Sequence, residues 1–154
     1  MMARGLGVSV KFEGVDKMLR KLEKHGEAAM RAGAAGVYLA AEEVMTAAVR
    51  VTPKSKHGGW LRNTKYVTEP EHLEKPQSEL GFSAQYAPYV HERFTATNWT
   101  TAGTGPKFLE RPLLRMKNDI LKIIARNVGA AYKTGVRRRK GGGKHPKNPP
   151  RGDK

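Results

Sequence analysis

Met30, Val37, Ala40, Val44, Ala48 and Val51 recur at intervals of three, four and seven residues. That spacing puts them on one face of a helix. Upstream, Val15, Met18, Leu19 and Leu22 keep the same period, with Asp16 placed for a first turn. Between the two runs lies AAMRAGAAG. Its alanines favour helix, while Gly26, Gly33 and Gly36 each cost up to about 1 kcal/mol and let another backbone approach closely. The pattern predicts one long helix over 15–51, kinked near Gly26. Thr52-Pro53 ends it, because the residue before a proline is pushed out of the helical region. A helix of that length must cover its apolar face with the rest of the chain.

A second periodic segment supplies part of the cover. Arg111-Pro112 suits a helix start, since proline fits the first helical position. Leu113, Met116, Ile120, Leu121, Ile124, Val128 and Ala131 then mark one apolar stripe. Three stretches alternate apolar and polar residues and read as strands: 8–13, 61–68 and 78–83. Residues 54–60 read as a loop, and 94–107 as a long, polar, exposed one. The expected fold is α+β: two long helices packed on a small antiparallel β-sheet, with a long loop and a disordered basic C-terminal tail. Residues 1–132 form a single domain and 133–154 the tail.

The tail is set apart by composition. It holds nine Lys/Arg and one Asp among glycines and prolines, with little to bury. It thus carries +8 of the chain's formal net charge of +15. Arg137, Arg138, Arg139, Lys140, Lys144 and Lys147 form its electrostatic cluster. Such charge suits phosphate or another acidic surface. The tail has only Tyr132 as a neighbouring aromatic, which argues against base stacking or groove reading. No apolar run reaches the length of a membrane span, and MMARGLGVSV lacks a signal peptide's apolar core. The expectation is a soluble protein made in the cytoplasm, with no membrane partner.

The most chemistry-like stretch is Tyr86-Ala-Pro-Tyr89-Val-His91-Glu92. It lacks a second histidine at the spacing a zinc helix needs, and there is no cysteine in the chain. Acid–base work by Glu92 with His91, or by Tyr86 with Tyr89, would need a partner brought from afar. Gly103-Thr-Gly-Pro-Lys107 is too short for a phosphate loop, and Pro106 removes a backbone donor. Arg151-Gly-Asp153 matches an adhesion tripeptide, as any three residues do readily by chance. The expectation is no enzyme, no catalytic residue, no cofactor, no metal and no small-molecule ligand. Tyr86, Tyr89 and Val90 are expected to pack on one face of a short turn.

The order of pieces resembles the tail-component proteins of long-tailed bacteriophages, also described as tail-completion, head–tail joining or minor capsid proteins. The resemblance rests on Val51-Thr-Pro53, Leu61-Arg62, Tyr86-Ala-Pro-Tyr-Val-His-Glu92, a polar loop, Lys107-Phe-Leu109 with Pro112, and a final helix. It covers residues 8–131. Gly58-Gly59-Trp60 replaces the family's Thr-Gly, and His91-Glu92-Arg93-Phe94 stands at its Glu-x-Gly-Thr, with Gly103-Thr104 displaced. The resemblance implies a virion structural protein of the neck that works as a ring of six-fold symmetry or a multiple of it. Its partners would be further copies of itself and other phage neck and tail proteins, with non-specific contact to DNA in the neck also open.

In that picture Pro53, Leu61, Arg62, Tyr86, Tyr89, His91 and Glu92 are structural. Trp99, Phe94, Lys107, Phe108 and Leu109 are the expected interface. The basic tail would meet either DNA or an acidic face of a neighbouring protein; the second fits better, because a conduit must let its cargo slide. The alternatives are a tail terminator capping the tube, a small basic nucleic-acid-binding protein, and a small hydrolase using Tyr86, His91 and Glu92.

Overall fold

The computed structural model describes residues 7–11, 25–54, 58–93, 99 and 101–140. In chain order the elements are β1 (Val8–Lys11), α1 (Glu27–Val51), α2 (Trp60–Asn63), β2 (Lys65–Val67), β3 (Glu79–Phe82), α3 (Ala87–Glu92), α4 (Glu110–Arg115) and α5 (Lys117–Lys140). The architecture is α+β, as expected.

The sheet has the order β1-β3-β2, both pairs antiparallel. Strand β3 is central, pairing with both neighbours, and Leu80 and Phe82 on one side of it are fully buried. Thr68 extends the β2–β3 pairing, its N–H donating to Glu79 O at 2.8 Å. The first expected strand is seen over Val8–Lys11, with residues 12 and 13 outside the described part. The third is Glu79–Phe82.

The second expected strand is corrected. Residues 60–63 form the short helix α2, and only Lys65–Val67 is extended. Asn63 N–H donates to Gly59 O and Thr64 N–H to Leu61 O, both at 3.1 Å. The turn buries Leu61, and alternation in the sequence gives no sign of it.

Helix α1 is the hub. One side faces β2 and β3, and another carries α5. Ala29, Val37, Ala40, Ala41, Val44, Met45 and Ala48 are buried along it. Its small residues set the helix spacing: a Cβ at Gly36 would come within 2.9 Å of Ile124 Cα. α5 packs chiefly on α1 through Ile120, Ile124 and Val128.

Two boundaries also move. α1 begins at Glu27, because Gly26 takes φ 89°, a left-handed value open to glycine and closed to a helix. The kinked continuation over 15–24 lies outside the described residues. At the other end, α1 stops at Thr52-Pro53 as expected. The final helix starts at Glu110, with Pro112 in its first turn, and breaks at Met116 before α5. α5 then runs past Tyr132 to Lys140, so the stretch 133–140 is helical and not a disordered tail. Residues 141–154 are outside the described part.

Candidate functional site

Four sequence-distant segments meet where α1 ends. Thr52 is fully buried, and its hydroxyl donates back to Ala48 O at 2.7 Å. Its own carbonyl faces the Arg62 guanidinium, which donates from Nε at 2.9 Å and Nη2 at 2.7 Å. A forked cation thus caps a carbonyl that the helix leaves unpaired. One residue earlier, Val51 O accepts from Gly105 N–H at 3.2 Å. This bond ties the 101–107 segment to the end of α1.

The same segment is held from the other side. Lys107 N–H donates to His91 O, the last turn of α3, at 2.8 Å. Lys107 Nζ lies 2.8 Å from Glu92 Oε2 and 3.1 Å from Glu110 Oε2. Lys107 takes φ 56°, an αL value that costs a non-glycine residue roughly 1 kcal/mol or more. Its backbone and side-chain bonds hold it there. Hydrogen bonding from Lys107, and then from His91, lowers the Glu92 pKa below the usual carboxylate range. In return Glu92, and then Glu110, raise the Lys107 pKa.

Beneath these charges lies an aromatic stack. Phe108 meets Phe82 edge-to-face at 5.2 Å and His91 at 4.9 Å. His91 is buried: Nδ1 lies 2.8 Å from Glu92 Oε1, while Nε2 is buried with no hydrogen-bond partner. A histidine placed this way is a packed wall. A general base would need Nε2 open to a substrate.

The YAPYVHE stretch is therefore turned differently from expectation. It is a helix whose buried members are Ala87 and His91, four residues apart. Tyr86 and Tyr89 lie on the outer side, Tyr89 at 64% exposure with Arg93 stacked 5.4 Å from its centroid. They do not pack inward with Val90. A six-residue helix is too short for its period to be read from sequence.

The expected interface set divides. Phe108 and Leu109 are both 0% exposed, so they belong to the core and offer no surface to a partner. Lys107 is committed to Glu92 and Glu110. Trp99 is half-buried, its Nε1 lying where a Cβ on Gly105 would be 3.6 Å away. Within the described part of the expected loop, Thr104 and Gly105 are buried while Thr101, Ala102 and Gly103 are exposed. Phe94 lies outside the described residues, as do Lys144 and Lys147. Arg137, Arg138, Arg139 and Lys140 fall on the last turns of α5. Pro53 follows the α1 cap, and Leu61 is buried below Arg62's backbone turn.

The large apolar side chains left exposed are Leu39, Trp60, Tyr86, Tyr89, Leu114, Leu121 and Tyr132, among the described residues. Leu121, expected on the apolar stripe of the final helix, is 47% exposed, being about 100° away from Ile120 around the helix. Composition gives no reason to single out Trp60 or Leu114. Among the described residues, no group of three acidic or histidine side chains is gathered to hold a metal, and no helix is long and apolar enough to cross a membrane. Compared with known proteins, the chain matches no family model, no curated protein and no solved structure.

Proposed function

We propose that this chain is a virion structural protein of a long-tailed bacteriophage, a ring-forming subunit of the neck that joins or completes the tail. One observation carries the reading. Val51-Thr52, Arg62, His91-Glu92 and Gly105-Lys107, on which the resemblance rests or which adjoin it, bond to one another at the end of α1. Apart from His91 Nε2, which is buried without a partner, their polar atoms are spent on holding the chain, which is what a scaffold needs and a reaction centre cannot spare. Trp60, Tyr86, Tyr89, Leu114 and Leu121 remain open to neighbouring subunits, and exposed aromatics make good interface anchors. These replace Phe108 and Leu109 as the contacts a ring would use.

The test is electron microscopy, on two samples. The purified chain at high concentration, alone and with its neck partners, should form closed rings. Phage particles lacking it should accumulate as full heads apart from finished tails. Heads that join tails normally without it would sink the proposal. A label found on the free end of the tail tube would favour the terminator role instead.

A further inference from the structure

Helix α5 is packed on one side and strongly basic on the other. Its core residues Ile120, Ile124 and Val128 face α1. At about 100° per residue, Lys122, Arg126 and Lys133 fall on the opposite side of the helix. All three are exposed. These three positions lie within about 40° of one another and span about 16 Å along the axis. Asp119 is the helix's single acidic residue, near its first turn, paired with Lys122 at 3.2 Å in an exposed geometry. Such exposed pairs are weak and yield readily to a stronger anion.

Small residues lie between the cations. Ala125 and Gly129 are exposed, and a Cβ on Gly129 would meet nothing within 4 Å. A partner can therefore approach the backbone of the helix closely. No acidic residue follows Asp119 on α5, and the line itself carries no aromatic. Its character is a row of like charges without a stacking platform or a base-reading amide.

We propose that this outer face of α5 binds the phosphate backbone of double-stranded nucleic acid, without sequence preference. A stiff row of cations matches a stiff, regular polyanion. Leu121 and Tyr132 are exposed on α5 but lie to one flank, each about 100° from the cation that follows it. Beside the line itself Gly129 offers none of the apolar side chains that an acidic protein surface would call for among the charges. Non-specific phosphate contacts exchange with salt and let protein and duplex slide past each other, so binding is compatible with passage of the duplex. The inference differs from one based on the terminal tail, because the row begins at Lys122, within the packed part of the helix. It stands independently of ring formation, since a single subunit carries the whole row.

Fluorescence anisotropy with two labelled duplexes of unrelated sequence, over about 50–200 mM salt, tests it. The wild-type chain should bind both alike. Replacing Lys122→Gln, Arg126→Gln and Lys133→Gln together should make the log–log salt slope shallower by about 2.7, or about 0.9 for each phosphate left without its cation. Glutamine keeps the helix propensity, so the thermal midpoint should not move. A control variant removes the same charge elsewhere, at the exposed Arg50, Lys65 and Lys75, each to Gln. It should bind nearly as wild type. Lys122→Arg with Lys133→Arg should also bind as wild type. Equal losses from the two triple variants would overturn the proposal, since net charge alone would then explain binding. So would an unchanged slope in the first variant, or tighter binding to polyglutamate than to duplex.

Discussion

Arg62 and Lys107 at the end of α1, and Lys122, Arg126 and Lys133 on α5, are the same kinds of residue put to opposite uses. At the end of α1 each cation has a fixed oxygen within the chain: Thr52 O for Arg62, Glu92 and Glu110 for Lys107. On α5 the cations point to solvent over alanine and glycine, with Asp119 their one acid on the helix. The first region shows polar groups consumed by architecture. The second shows charge that architecture does not use. Charge counts alone would rank the two alike; the difference lies in what each cation faces.

The largest effect should come from the aromatic floor of the first region. Phe108→Ala should cost about 3–5 kcal/mol in urea unfolding, because it empties a fully buried site between Phe82 and His91. A cost near that of a surface change would mean the region is no scaffold. Arg62→Ala should come next, at about 2 kcal/mol, because it strands the buried Thr52 carbonyl. An Arg62→Lys chain should recover only part of this, since lysine cannot fork.

The two faces of α5 can be set against each other with one chemical change. Gly36→Ala, facing the inner side, should destabilise by about 1 kcal/mol, as the Ile124 backbone must shift by more than alanine's helix preference returns. Gly129→Ala, on the outer side, should stabilise by about 0.4–1 kcal/mol. Thermal midpoints moving the same way for both would erase the distinction between the faces.

The smallest effect concerns pH. Glu92 has a lowered pKa, so the stability it lends is present above the ordinary carboxylate range and fades as pH falls through its depressed folded value. Lys107 has a raised pKa, so its share is present below the ordinary lysine range and fades as pH rises through the raised value. Glu92 is open to solvent and Lys107 partly so, so the changes should be slight. In a Glu92→Gln chain the acid limb of the stability–pH curve should flatten, and a curve identical to wild type would discount the Lys107–Glu92 pair.

What the sequence determined by itself were the features with a local period. The apolar spacing of α1 and, Leu121 apart, of α5, the alternation in β1 and β3, and the Thr52-Pro53 stop are properties of neighbouring residues, and they survive in the fold. Short elements have too few residues to show a period. By pattern alone α2 therefore reads as strand and α3 reads the wrong way out, whereas the fold puts His91 inside and Tyr89 outside. Tertiary structure alone decided which polar groups meet: Arg62 with Thr52, ten positions apart, and Lys107 with Glu92, fifteen apart. It also decided that Phe108 lies within the core, and that the outer side of α5 is where basic charge is left facing water. The physical reason is common to all of these. A side chain's period along the chain tells which face it shares, but only the packing of distant segments settles whether that face is covered.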